Sequence, residues 1–399
     1  MIEITNGTVN IEKKNFEFVE RKGLGHPDTL CDAIAEKASV LYSKYVYNEF
    51  GMYANHWFDK VMLIGGESVI DFGIGKLIRP YKVIFAGKAV KHVGNKDIPL
   101  DDILHQAASF VLTNNLTDFN SKKDLVVENE IVDYHGAGRL NNRYQPESKE
   151  DLKKSISKKV SNDCNILSAY APETSLESTV RELELFLNSS DFKSKYEFTG
   201  WDIKIVGTRR GETYSFLINI PFLGSRVKDV EQYFHFKDLL YAEINRWISN
   251  RIEIYNIILN PQDKAGHYYL TSRGSAADTG DVGVVGRGNR MNGLITPMRP
   301  MSIEASCGKN PLDHTGKIYN YLSKKWVEKI YSFLSVPVQI HVFTMKEEPL
   351  EKPTLINVQV EKDFVSKEEG DKISKIISRD LLKIDSVRDV FINEEPIMW

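Results

Sequence analysis

The sequence predicts an α+β protein made of mixed strand-and-helix layers. Three observations carry this reading. Candidate strands are followed by amphipathic helices along the whole chain. Many connections run strand to strand, which disfavours a doubly wound parallel sheet. The length, 399 residues, suits two or three ordinary domains. Polar stretches place the units at residues 1–120, 121–260 and 261–399, with boundaries free to interleave.

The first unit opens with an expected strand from Lys14 to Arg21 and the turn KGLGHPD. A helix should follow. Pro27 suits its first turn, Asp28 sits near its positive end, and Leu30, Ile34, Ala38, Leu41 and Tyr45 recur at spacings of three and four. Lys60 to Ile64 and Tyr81 to Ala86 read as buried strands, and Leu100 to Leu112 as a helix. In the second unit Leu125 to Val132 reads as a strand, followed by a turn at Gly136-Ala137-Gly138 and a polar surface stretch to Asp163. Thr174-x-x-Glu177 is a capping box opening a helix with Leu176, Val180, Leu183 and Leu187 on one side. Trp201 to Gly207 and Tyr214 to Ile220 should pair as strands, before a helix from Val227 to Asn250 and a strand from Ile252 to Leu259. The third unit should hold a helix over Gly316 to Leu334 and strands at Val338 to Thr344 and Leu355 to Val360. A second capping box, Ser366-x-x-Glu369, starts another helix, and Val387 to Ile392 is expected to close the chain as a strand.

Composition excludes several function classes. A net charge of −3 argues against bulk affinity for nucleic acid. The three cysteines, Cys31, Cys164 and Cys307, form no C-x-x-C pair, so neither a disulfide framework nor a zinc pattern is expected. The first residues carry no apolar signal region, and no long uninterrupted apolar run occurs. The expectation is a cytoplasmic protein with reduced thiols and no membrane partner.

The chemistry concentrates between Gly280 and Lys317. Glycines there let backbone approach a ligand closely. Arg287, Arg290, Arg299 and Lys309 among them point to an anionic ligand, most simply phosphates. Two familiar phosphate loops fail. A Walker A loop would need glycine at Ile303 and Ser or Thr at Asn310, and a dinucleotide fingerprint would need glycine at Met291. Other polar residues are scattered: His26 and Asp28 at a helix start, Glu67 after two glycines, Asp163, Lys204 and Asp281. Each also has a structural reading. His26 suits a helix cap, Asp28 complements a helix dipole, Glu67 ends a strand in solvent, Asp163 suits a turn, and Lys204 an exposed strand.

Four segments together carry a resemblance: ERKGLGHPDTLCDAIAE, GGE, GTRRG and GDVGVVGRGNRMNGLITPMRPMSIEASCGKNPLDHTGKIYN. They touch all three units, and the last is about forty residues of nearly unbroken match. They resemble methionine adenosyltransferase (S-adenosylmethionine synthetase), in its archaeal-type branch. The resemblance implies three similar α+β domains around a pseudo-threefold. It implies ATP and L-methionine as substrates, Mg²⁺ (two ions) and K⁺ as cofactors, and a homodimer or dimer of dimers with active sites at the subunit interface. By position, His26 matches a histidine near the leaving oxygen, and Arg287, Lys309 and Lys204 match phosphate-contacting cations. Gly136, Ala137, Gly138, Asp163 and Arg290 match the ATP site, Asp281 a methionine contact, Asp28 a Mg²⁺ ligand and Glu67 an acid linked to K⁺. Two departures stand out. Asn310 occupies the place of a second Mg²⁺ carboxylate in the bacterial branch, for which Asp313 is a candidate replacement. Ile166 to Ala169 replace an aromatic and glycines near the nucleoside, which motivates a second reading with altered nucleotide or methionine-analogue specificity. A third reading, a non-catalytic partner subunit, is opposed by intact His26, Asp28, Arg287 and Lys309.

Overall fold

The computed structural model describes residues 1–7, 10–133, 143–157, 159–286, 291–394 and 396–399. The strands of the three principal sheets are β1 (Ile2–Asn6), β2 (Phe16–Lys22), β3 (His56–Ile64), β4 (Tyr81–Ala89), β5 (Leu125–Val132), β6 (Asn165–Ala171), β7 (Lys204–Arg210), β8 (Thr213–Asn219), β9 (Tyr255–Leu259), β10 (Val282–Val284), β11 (Leu294–Ile295), β12 (Val338–Thr344) and β13 (Leu355–Val360). The helices that cover them are α1 (Pro27–Phe50), α2 (Leu100–Asn115), α3 (Ser175–Leu187), α4 (Val230–Ser249), α5 (Thr315–Leu334) and α6 (Lys367–Leu381).

The three sheets share one pattern. The first runs β10-β3-β4-β5, the second β9-β8-β7-β2-β11 and the third β1-β13-β12-β6. In each, an antiparallel hairpin is flanked by one parallel edge strand: β5 beside β4, β9 beside β8, and β1 beside β13. A parallel neighbour needs a crossover, and α2 and α4 supply it in the first two sheets. In the third sheet the parallel edge comes from the N-terminal strand β1 instead. That corrects the expectation for the chain's end. Val387 to Ile392 is not a strand, because its place in the sheet is already filled. It forms a short helix, Asp385–Asp389, continued by a wider turn over Val390–Glu394. Val387 and Phe391, four apart, are both buried there, as one helical face requires.

Local signals explain the other boundaries. Both capping boxes form, Thr174 with Glu177 and Ser366 with Glu369. Helix α1 starts with Pro27 in its first turn and ends at Gly51 in the left-handed conformation. The expected apolar stripe of α1 is only part of its buried surface, since the helix is buried on most sides. Away from that stripe run three acids, Asp28, Asp32 and Glu36, at helical spacing of four and all buried.

Buried ion pairs fasten strands and helices within and between the layers. Arg21 holds Glu184 at 3.0 Å, Arg209 holds Glu17 at 3.2 Å, Arg299 holds Glu177 at 2.9 Å and Lys317 holds Glu36 at 2.6 Å. A buried pair contributes little net stability, but removing one partner strands a charge. Lys317→Met should therefore cost about 3–5 kcal/mol in chemical denaturation. The double variant Glu36→Gln/Lys317→Met should cost clearly less; equal losses would show that the pair is not coupled.

Two buried histidines set an acid limit. His56, bonded to Ser39 Oγ at 2.7 Å, has its pKa pulled by burial from 6.5 to about 3. His314, which caps α5, is likewise lowered to about 3, by burial first and then by Lys309. Unfolded, each returns toward 6.5, so below that pH the unfolded chain binds more protons. Unfolding free energy should therefore fall as pH drops from 6.5 toward 3, by about 1.4 kcal/mol per unit for each histidine. Denaturant melts at about pH 7 and about pH 5 would check this, and a flat profile would contradict it.

Candidate functional site

The site begins at the start of α1. His26 is the N-cap residue, and its Nδ1 accepts the Asp28 backbone N–H at 3.1 Å. That nitrogen is therefore unprotonated, and a neutral ring carries its proton on Nε2. Burial lowers the His26 pKa, opposed by the nearby charges of Asp202, Asp28 and Asp281. So the structural reading of His26 as a cap is correct, and the same bond prepares the ring as an Nε2–H donor.

Asp28 is buried beside it. Its Oδ2 accepts from Lys22 Nζ at 2.7 Å and its Oδ1 from the Val284 N–H at 3.1 Å. The second contact exists because β10 lies directly on the helix start. A Cβ on Gly283 would sit 2.1 Å from the Pro27 carbonyl, so only glycine fits. Asp281, just before β10, is exposed, and its carbonyl accepts the Gly65 N–H at 3.0 Å. Gly65 is also obligatory, since a Cβ there would meet the Ala277 carbonyl at 2.3 Å. Glu67 follows and points outward, with Arg79 at 3.9 Å.

Strand β7 brings two more groups. Lys204 lies opposite Lys22 in the β2–β7 register and holds Glu20 at 3.1 Å. Asp202 is fully buried against His26, and its Oδ2 accepts the Ala276 N–H at 2.9 Å. Burial raises its pKa, while the His26 charge and that N–H oppose the rise. Sequence reasoning missed Lys22 and Asp202. The usable signal was adjacency: both lie within a few residues of positions already singled out.

The glycine-rich stretch is fastened along α1 by the acid stripe. Asp28 accepts from Val284, Asp32 from the Gly286 N–H at 3.0 Å, and Glu36 from the Gly308 N–H at 2.9 Å. Gly308 has φ of +73° and lies against the Phe58 carbonyl, again a glycine-only position. Lys309 then turns inward, with Asp59 at 2.9 Å and Glu304 at 3.0 Å. Burial works against its charge, but these carboxylates outweigh burial and raise its pKa. Burial would raise the Asp59 pKa; Lys309 and Lys60 reverse that and hold it at about 2. Asp59 is a further member that sequence reasoning missed.

The predicted residues thus fall into two groups. His26, Asp28, Asp281 and Lys204 gather at the helix start. Lys309 lies near Glu36, two turns or about 12 Å further along α1. Asp163 belongs to the Lys309 side, since its neighbour Asn162 accepts from the Thr315 N–H at the start of α5 at 3.2 Å. Asp163 Oδ1 accepts the Cys164 N–H at 2.8 Å, as in a turn. Asn310 is fully buried and donates to Asn55 and Asp313, while Asp313 is ion-paired with Arg143. Both are committed to the fold, so neither offers a second metal carboxylate. Arg299 must also leave the list of anion-binding cations, because it is bidentate on Glu177 and stacked 3.9 Å from the Tyr170 ring. Gly136, Ala137, Gly138, Arg287 and Arg290 lie outside the described residues.

A cavity of about 610 Å³ opens beside this region, lined by Tyr170, Glu304, Cys307 and Trp399 among others. His26, Asp28 and Asp281 do not line it, and it meets the candidate site through Asp32 and Glu304. Among the described residues no cluster of three or more His, Cys, Asp or Glu is arranged for a metal.

Comparison with known proteins agrees with the sequence resemblance. Residues 1–395 match the family S-adenosylmethionine synthetase (AdoMet synthetase). The chain is 34% identical over 404 residues to an S-adenosylmethionine synthase of Pyrobaculum aerophilum, covering 98% of this chain and 97% of that one. It is 35% identical over 390 residues to an S-adenosylmethionine synthase of Methanobrevibacter smithii, covering 95% and 94%. In fold it is similar to an unusual S-adenosylmethionine synthetase from Campylobacter jejuni, with a TM-score of 0.63, 15% identity and coverage of 94% and 88%. On a match that spans nearly its whole length, the chain belongs to the S-adenosylmethionine synthetase family.

Proposed function

We propose that the protein is a methionine adenosyltransferase, joining ATP and L-methionine to give S-adenosylmethionine, phosphate and diphosphate. The observation that carries this reading is the helix start, where a neutral His26 with its Nε2–H unspent stands beside Asp28, Lys22 and Lys204. A lone pair of the methionine sulfur forms the bond to C5′ of ATP. The C5′–O5′ bond breaks, and its electron pair leaves on the triphosphate. A thioether has no proton to lose, so no base is needed. The barrier lies in charge accumulating on the leaving oxygens, and preorganised donors lower it. His26 supplies an N–H near the leaving oxygen, and Lys204, Arg287 and Lys309 supply cations to the phosphates. Asp281 takes the methionine ammonium. Asp163, Gly136, Ala137, Gly138 and Arg290 hold the nucleotide. Hydrolysis of the bound triphosphate follows.

The fit of the metals differs from ion to ion. Mg²⁺ takes one or two carboxylates together with substrate phosphates, so the single buried Asp28 suits it. Held there, the ion would neutralise charge on the triphosphate. For a second Mg²⁺, Asn310 offers no carboxylate and Asp313 is held by Arg143 and Asn310. Glu67 as a K⁺ ligand rests on the resemblance alone.

The protein acts as a homodimer or dimer of dimers, with ATP and methionine bound between subunits. Two features support this. The open faces of the three sheets expose apolar side chains: Met62 and Val126 on the first, Phe16, Phe18 and Ile258 on the second, Ile166 and Phe343 on the third. And the His26 and Lys309 groups are separated along α1, as halves of a composite site would be. The reading with altered nucleotide specificity rests on the same segment: Ile166 is an exposed sheet-face residue on β6, while Ser168 and Ala169 line the cavity.

Purified protein with ATP, methionine, Mg²⁺ and K⁺ should form S-adenosylmethionine; folded protein yielding none would end this reading. His26→Ala should slow the single-turnover adenosyl transfer by roughly 10²–10³, the loss expected for one transition-state donor. Unchanged transfer would remove His26 from the chemistry. Mixed dimers of His26→Ala with Lys309→Ala should recover activity, because one of their sites keeps both residues. No recovery in verified mixed dimers would place both residues in the same subunit's site.

A further inference from the structure

We propose that Lys22 is a placeholder cation at the metal carboxylate and, once displaced, a further contact for the triphosphate. The inference rests on the reading of Asp28 as the Mg²⁺ ligand. Lys22 Nζ lies 2.7 Å from Asp28 Oδ2, and both side chains are nearly buried, at 12% and 5% exposure. The remaining oxygen of Asp28 is occupied by the Val284 N–H. Without Lys22 the ligand-free chain would hold a buried carboxylate with no counter-cation, which is costly.

The backbone of Lys22 is fixed on several sides. It ends β2 in register with Lys204, the next residue Gly23 donates to the Ile203 carbonyl at 2.7 Å, and the Lys22 carbonyl accepts from Thr29 Oγ1 at 3.2 Å. The ammonium can therefore move only as far as its own side chain swings. A divalent cation at Asp28 carries twice the charge and no side-chain entropy, so it outcompetes a lysine for the same oxygen. The released ammonium stays beside Lys204, on the same face of adjacent strands, and the two form a paired cationic edge for phosphate oxygens. This arrangement balances the Asp28 charge when no metal is bound and turns the same lysine charge to substrate when one is.

The test uses two binding constants that should move in opposite directions. Mn²⁺ alone, titrated by electron paramagnetic resonance into the full-length protein, should bind Lys22→Met several-fold more tightly than the unaltered chain. Inorganic tripolyphosphate with Mg²⁺, followed by calorimetry, should bind Lys22→Met about tenfold more weakly, the loss expected for one charge-assisted contact. Lys22→Arg should keep both constants near their original values. A merely structural lysine would move both constants the same way or neither, and either result overturns the proposal. If thermal melts show Lys22→Met to be poorly folded, Lys22→Gln reads the same pair of constants. Asp28→Asn separates the two claims. If it leaves Mn²⁺ binding intact, the metal reading and this inference both fall. If it abolishes binding while Lys22→Met changes nothing, only the role of Lys22 is lost.

Discussion

The candidate site depends on one constraint: a strand of the glycine-rich stretch lies in direct contact with the first turn of α1. At Gly283 no side-chain atom can fit between strand and helix. That contact lets Val284 donate to Asp28, and the same line of acids continues through Asp32 and Glu36 to Gly286 and Gly308. Three buried carboxylates thus accept three backbone N–H groups. Each bond satisfies polar groups that burial would otherwise penalise. The result is that Asp281 shares one corner of the molecule with His26 and Asp28, from which it is distant in sequence.

The same helix divides the chemistry. Asp28 lies at the His26 end, proposed for methionine and metal, whereas Glu36 supports the Lys309 end through Lys317. Lys317 donates both to Glu36 and to the Lys309 carbonyl, so an ion pair beneath the loop sets the direction of the lysine above it. Each candidate phosphate-binding lysine among the described residues is held by a carboxylate: Lys22 by Asp28, Lys204 by Glu20, Lys309 by Asp59 and Glu304. Phosphates reaching these lysines would exchange with the carboxylates that hold them. Such exchange costs little reorganisation where the side chains are already ordered.

Helices cover one face of each sheet, and the opposite faces carry exposed phenylalanine, isoleucine, methionine and valine side chains. In the proposed dimer a second copy would cover these faces.

The sequence by itself determined the local elements and the reaction class. Strand and helix periods, two capping boxes, and proline and glycine at helix ends depend on neighbouring residues only, so they were legible. The unbroken motif from Gly280 to Asn320 was equally legible as a family signature. Tertiary structure decided what each polar residue does, because partners lie far apart in sequence. Arg299 and Lys309 look alike as isolated cations in one loop, yet the first is locked on Glu177 and the second lies between Asp59 and Glu304. Asp28, Asp32 and Glu36 were visible as letters at a spacing of four, but an acidic stripe ordinarily faces water. Only the close passage of Gly283 and Gly308 over α1 makes it a buried zipper. The final segment was misjudged for the same reason: Val387 to Ile392 has strand-like residues, but β1 from the other end of the chain already occupied the edge it would have joined.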